Sequence, residues 1–289
     1  MLQISGITKK FGKKVALHNT SLTLDKGIIG LLGPNGAGKT TFLRLLSTFY
    51  VSDSGDITLN ELSWSKDTEK IRKTIGYLPQ QTGVFPSLKA REYLEYMGIL
   101  RGMDSGQLSK EIPSVLKEVN LEEKADHLIG SFSGGMKQRL GIAQAILHQP
   151  SLLLVDEPTA GLDPEERIRF RNLIKRLGKN RLIILSTHIT EDVAMTCDQA
   201  LLMKAGAIEQ FSSIQEIISL AKGQVWALET DLSTYETIKS NTNILITQTS
   251  ILEENIIALR YIATEPIYPK AKIAVPVLEE GYMVWLNKK

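Results

Sequence analysis

An α/β fold built around a largely parallel core sheet is predicted by three features of this 289-residue chain. The short apolar run Ile28-Ile29-Gly30-Leu31-Leu32 leads directly into a Gly-rich stretch and then into a helical pattern, the order strand, loop, helix. Two later runs, Leu152-Leu153-Leu154-Val155 and Leu182-Ile183-Ile184-Leu185, are apolar at every position, as parallel strands covered on both faces are. From about Gly223 the composition turns to β-branched residues, which predicts a separate small α+β domain.

The elements follow in order. Leu2 to Ile7 and Leu17 to Leu24 read as strands, with Asp25-Lys26-Gly27 as the turn into the strand at Ile28. Thr40 to Ser47 reads as a helix that turns Phe42, Leu45 and Leu46 to the core. The turn residues Ser52-Asp53-Ser54-Gly55 precede a strand over Asp56 to Leu59, and Ile75 to Leu78 is a further strand ending at Pro79-Gln80. Residues 87–150 are mostly helical, with Ile112, Val115, Leu116 and Val119 spaced as on one buried helix face, and form an inserted helical subdomain. After Pro150 come the strand at Leu152, a helix from Glu165 to Leu177 and the strand at Leu182. Beyond these, Val225 to Leu228, Ile244 to Thr247 and Ile256 to Tyr261 read as strands, Thr234 to Lys239 and Leu278 to Trp285 as helices. The expected domains are residues 1–222 and 223–289.

Composition bounds the function. Hydrophobic residues make up 43% and charged residues 23%, ordinary values for a globular protein, and a net charge of +2 with no basic stripe argues against nucleic acid as the main partner. Cys197 is the only cysteine, which excludes an internal disulfide and a cysteine-rich metal site. The start Met1-Leu2-Gln3-Ile4-Ser5 lacks the pattern of a secretion signal, and no apolar stretch approaches the roughly 20 residues needed to span a bilayer. A membrane role is therefore expected to come through another subunit.

Gly33-Pro34-Asn35-Gly36-Ala37-Gly38-Lys39, followed by Thr40 and Thr41, fits G-x-x-x-x-G-K-[ST] at every fixed position. Such a loop turns backbone N–H groups onto phosphate oxygens, and the following helix N-terminus contributes roughly half a positive charge. Lys39 adds a full charge toward the β and γ phosphates, and the Thr40 hydroxyl suits Mg²⁺, a hard cation that prefers oxygen. Asp156 and Glu157 stand just past the end of a buried strand, where open α/β sheets bind ligands. Asp156 is expected to hold Mg²⁺ through water and Glu157 to polarise the attacking water as general base. In isolation the pair reads equally well as a solvated acidic cap. Ser133-Gly134-Gly135 opens an amphipathic stretch, Leu140 to Leu147, with Ser133 placed as N-cap. This second phosphate-binding terminus is read either as an ordinary Ser-capped helix or as one that faces a nucleotide held by another copy.

With these motifs in this order, the chain resembles the ATP-binding subunit of an ABC transporter over about residues 1–220. The resemblance implies a P-loop NTPase fold of ABC type, with a parallel core sheet, an antiparallel β edge and the inserted helical subdomain. It makes Gly33 to Thr41 the Walker A loop, Leu152 to Glu157 the Walker B strand, and Ser133 to Arg139 the signature segment that closes on the partner's γ-phosphate. Gln80 matches the glutamine that senses Mg²⁺ and contacts the transmembrane partner. Asp163 matches the loop that links the two sites across a dimer, and His188 the switch histidine that holds the γ-phosphate. Taken alone, His188 after an apolar strand reads as a structural residue. Phe11 matches the aromatic position that stacks on adenine, where tyrosine is frequent, and Phe132 and Met136 replace a commoner leucine and glutamine.

The resemblance further implies ATP and Mg²⁺ as ligands, and two ATP-binding subunits, identical or not, closing head-to-tail. It implies a separate integral-membrane permease and a place at the cytoplasmic face of the membrane. Pro79-Gln80-Gln81-Thr82-Gly83 and the added C-terminal domain look most like ABC-2 type exporters of antibiotics, peptides or polysaccharides. The competing expectation is a soluble ABC-type ATPase that drives assembly of a cytosolic complex.

Overall fold

The computed structural model describes residues 1–81, 83–241, 244–253 and 255–288; Thr82, within the Pro79 to Gly83 stretch, lies outside them. The chain divides into two units, Met1–Gln210 and Phe211–Lys289. Along the first run β1 (Leu2–Phe11), β2 (Lys14–Leu24), β3 (Gly27–Leu32), α1 (Lys39–Leu46), β4 (Ser54–Leu59), β5 (Leu62–Ser63), α2 (Thr68–Thr74) and β6 (Ile75–Leu78). Then come α3 (Ala90–Leu100), α4 (Ser105–Glu118), α5 (Gly134–Ile146), β7 (Leu152–Asp156), α6 (Pro164–Gly178), β8 (Leu182–Thr187), α7 (Thr190–Thr196), β9 (Gln199–Lys204) and β10 (Ala207–Phe211).

Six strands form the core sheet in the order β10-β9-β3-β8-β7-β6. The pairs β3 with β8, β3 with β9, β7 with β8 and β6 with β7 are all parallel. Every residue of β7 and β8 is buried, which explains why neither run alternates in polarity. The antiparallel strands form a sheet of their own, β2-β1-β4-β5, whose inward residues Leu2, Ile4, Leu22 and Ile57 share one hydrophobic cluster with Phe42, Leu154 and Ile184. The strand carrying the Gly-rich loop is thus gripped by sheet neighbours on both sides and by packed layers on both faces.

Helices α3, α4 and α5 make up the insertion. Asp104 caps α4 through the Gln107 N–H at 2.9 Å, and Gln107 Oε1 returns the bond to Asp104 N at 3.1 Å. Ile112, Val115, Leu116 and Val119 are all buried, as their spacing predicts.

The second unit contains α8 (Ile214–Ser219), β11 (Val225–Asp231), α9 (Leu232–Lys239), β12 (Leu245–Glu253), β13 (Ile256–Ile262), β14 (Lys272–Ile273) and α10 (Leu278–Asn287). Its sheet is antiparallel in the order β12-β13-β11-β14, with Leu228, Ile238, Leu259 and Tyr261 as the buried cluster on one side. Glu280 on α10 is 1% exposed yet charged. Its carboxylate accepts two bonds of 2.9 Å from Arg260, one from Thr247 Oγ1 at 3.1 Å and one from Val277 N at 2.8 Å. Four donors replace the water it has lost. Helix α8 packs on α10 and belongs to this unit, so the division falls at 210/211, whereas the composition shift at Gly223 marks only where its sheet begins.

Candidate active site

Apolar strands β3, β7 and β8 end side by side, and the residues just past their C-terminal ends converge on one cavity of about 680 Å³. Its lining is Phe11, Lys14, Val15 and Ala16 from the β1–β2 hairpin, residues 34–41 of the Gly-rich loop, then Gln80, Glu157, His188, Ala205 and Gly206. Six segments distant in the sequence therefore meet at one place.

The loop geometry follows from its residue types. Gly38 sits at φ 112°, a conformation that costs an L side chain dearly, and precedes α1 with no side chain capping the helix. The first N–H groups of α1 are left for a ligand in the cavity. Space is as restrictive as torsion: a Cβ at Gly38 would lie 2.5 Å from Met203 Cε and 2.8 Å from Ala16 O. The turn at Ala205-Gly206 braces the loop, because Gly206 N donates to Ala37 O at 2.8 Å while His18 N donates to Gly206 O at 2.9 Å.

Lys39 is only 6% exposed, unusual for a lysine. Its Nζ donates to Gly33 O at 2.7 Å and Pro34 O at 3.4 Å, and lies 3.2 Å from Glu157 Oε1. Glu157 adopts φ 47°, a left-handed conformation that costs a non-glycine residue on the order of 1 kcal/mol or more. The strained backbone is fixed by Glu157 N donating to Ser186 O at 3.0 Å, which swings the side chain into the cavity. His188 Nδ1 lies 2.7 Å from Glu157 Oε2. Since a carboxylate oxygen can only accept, Nδ1 carries a proton, and Nε2 donates to an anionic ligand when it is protonated as well.

Asp156 ends β7 with 1% exposure, and its Oδ1 is buried without a hydrogen-bond partner. Burial pushes its carboxyl above the usual range, against the opposing pull of the Ser186 and Thr40 hydroxyls and Lys39. An orphaned carboxylate oxygen beside a threonine hydroxyl fits a hard divalent cation. Among the described residues no group of three or more His, Cys, Asp or Glu could hold a metal. Mg²⁺ suits such a sparse set, since it takes one or two protein oxygens and fills its shell from phosphates and water.

The site residues expected from sequence separate into two groups. Phe11, Pro34 to Thr41, Gln80, Glu157 and His188 line the cavity; Gly33 and Asp156 are bonded to lining residues, the carbonyl of Gly33 to Lys39 and the carboxyl of Asp156 to the Thr40 hydroxyl. Ser133, Gly134, Gly135 and Asp163 are not in the lining. Ser133 Oγ caps α5 by accepting from Met136 N at 3.2 Å, and Asp163 Oδ1 caps α6 by accepting from Glu166 N at 2.8 Å. Sequence reasoning missed Lys14, Val15, Ala16, Ala205 and Gly206. The signal for the last two was the apolar run Ala200 to Met203 followed by Lys204-Ala205-Gly206, a strand running into a hairpin turn.

The chain is similar to known proteins. Residues 17–160 match the ABC transporter family. The linearmycin resistance ATP-binding protein LnrL of Bacillus subtilis is 36% identical over 91% of this chain and 80% of its own length. Nod factor export ATP-binding protein I of Rhizobium sp. is 39% identical over 71% and 68%. A dimeric ATP-binding cassette solved in a post-hydrolysis state with ADP and Pi superposes with a TM-score of 0.65 at 28% identity, over 74% of this chain and 98% of that one. A cavity built from a Gly-rich loop, a buried lysine and a strained glutamate, together with this length of similarity, makes the chain an ATP-binding, ATP-hydrolysing subunit of the ABC transporter family.

Proposed function

We propose that two such subunits close head-to-tail on two ATP molecules and thereby drive export through a separate membrane permease. The observation that carries this reading is the division of the phosphate-binding groups. Residues 34–41, Glu157 and His188 share a cavity, while Ser133 to Gly135 and Asp163 stand outside it. A γ-phosphate in the cavity is contacted on one side only, and an exposed helix terminus such as Ser133-Gly134 on a second subunit supplies the other side.

Within the site, Phe11 stacks on adenine and the loop N–H groups hold the β phosphate. Lys39 and His188, the latter as an imidazolium that donates from Nδ1 to Glu157 and from Nε2 to the ligand, meet the charge on the γ-phosphoryl oxygens. Glu157 takes a proton from the water that attacks phosphorus as the bond to the β-phosphate oxygen breaks, releasing ADP and phosphate. Thr40 and Asp156 would hold Mg²⁺, with Gln80 beside them, and the bound ion would supply neutralisation of phosphate charge.

Among the described residues no helix is long and apolar enough to cross a membrane. A cleft of about 740 Å³ in the first unit is lined by Phe49, Arg72, Tyr77, Leu100 and Arg101, with Phe49 and Leu100 71% and 63% exposed. Exposed large apolar side chains around a cleft suit a protein contact, and we assign it to the permease; on this reading the chain sits peripherally at the cytoplasmic face. Export is favoured by the similarity to the Nod factor export protein and to LnrL, a linearmycin resistance protein.

Ser133→Arg tests the head-to-tail arrangement, because it adds bulk at the exposed terminus and leaves the cavity lining intact. The variant is expected to bind ATP normally and to show no ATP-dependent dimer in light scattering. A persisting dimer would overturn the arrangement.

A further inference from the structure

Glu166 stands three residues beyond Asp163, in the first turn of α6, and its side chain is only 12% exposed. It lies against Gly135, where a Cβ would meet the Glu166 carboxylate and Cγ, so a larger residue there would displace the glutamate side chain. Its carboxylate forms an ion pair with Arg139 Nε at 3.4 Å and accepts from Arg169 Nη1 at 2.9 Å. Arg139, also 12% exposed, extends the connection by donating from Nη1 to Val119 O at 3.2 Å and Asn120 O at 2.9 Å, the end of α4.

One carboxylate therefore ties together the turn after Asp163, the helix that begins at Ser133 and the end of α4. Neither Glu166 nor Arg139 lines the ATP cavity of its own subunit, so the cluster has no role in binding that subunit's nucleotide. A half-buried ion pair is also a poor source of net stability, because desolvation consumes much of its Coulomb energy. What it does supply is a fixed separation, since a bent or extended arrangement would leave buried charge without a partner.

We propose that Glu166 is a positioning residue for the partner's active site: it locks Ser133 to Gly135 and Asp163 into one rigid element, presented as a unit to the nucleotide of the second subunit. This inference rests on the head-to-tail arrangement proposed above. Without the lock the two segments must be ordered at closure, and that cost falls on dimerisation rather than on nucleotide binding.

The test uses the full chain in a Glu157→Gln background, which slows hydrolysis and accumulates the ATP-bound form. Equilibrium titration with a fluorescent ATP analogue reads binding by the single subunit, and light scattering reads the ATP-dependent dimer. Glu166→Gln keeps size and packing while removing the charge; Arg139→Lys keeps the charge while removing the planar fork. With either addition, ATP affinity is expected to stay within twofold of the Glu157→Gln parent and the dimer dissociation constant to rise at least tenfold. A parent that fails to dimerise with ATP would overturn the head-to-tail reading and this inference with it. A dimerising parent with unchanged dimers in both double variants would overturn the inference alone, as would a loss of ATP affinity matching the loss of dimer.

Discussion

His188 Nδ1 and Lys39 Nζ approach opposite oxygens of one carboxylate, at 2.7 Å from Glu157 Oε2 and 3.2 Å from Oε1. Two cationic or proton-bearing groups thus fix the direction of the glutamate proposed as the base. The same bond orients the imidazole.

His188→Ala should therefore lower turnover by about 10²-fold, the range for losing one donor to a developing oxyanion. ATP binding, which rests on the loop and Phe11, should change little. Single-turnover hydrolysis alongside equilibrium binding separates the two, and an equal loss in both would contradict the assignment.

For Glu157→Gln we expect ATP binding to persist while hydrolysis falls by about 10²- to 10⁴-fold, as for removal of a general base. Near-normal ATPase activity in the purified variant would place the base elsewhere. Lys39→Ala should weaken binding as well, because its ammonium group also ties down the carbonyls of Gly33 and Pro34.

Phe11→Ala should cost about 1–3 kcal/mol of ATP affinity, the value of one base on an aromatic platform. The discriminating measurement compares ATP with inorganic tripolyphosphate, which has no base. Affinity for tripolyphosphate should be unaffected, and Phe11→Tyr should restore ATP binding.

In the second unit, Arg260→Met strands the carboxylate of Glu280, and the loss is expected to be about 3–5 kcal/mol of stability. Glu280→Gln should cost less, since an amide can keep part of the bonding from Thr247 and Val277. Urea denaturation followed by the fluorescence of Trp226 and Trp285 reads the effect. A larger loss for the glutamine variant would reverse the argument.

Strands β3, β7 and β8 were legible because a parallel strand buried on both faces must be apolar throughout, and the Gly-rich loop because its torsions and ligand restrict every fixed position. Ser133 was legible as a cap for a local reason, its own hydroxyl three residues from the N–H of Met136. What local pattern could not give is contact across the sequence. Val15 and Ala16 reach the cavity by the pairing of β1 with β2, whose register shifts at several points, and no spacing rule reveals which residues then face the site. Strands β9 and β10 went unread because Gln199 to Lys204 mixes polar ends with an apolar middle. Glu166 has the composition of any solvated helix residue, and its burial against Gly135 depends wholly on how α5 and α6 pack.

The turn at Gly206 sets a schedule for synthesis. The Gly-rich loop leaves the ribosome early, yet its strand acquires β8 and β9, and its floor acquires Gly206, only after roughly 170 more residues, about 9–35 s later at ordinary elongation rates. During that interval the loop is a ribbon with no wall behind it. The complete cavity, with Gly206 donating to Ala37, therefore exists only once the hairpin at Gly206 has been made.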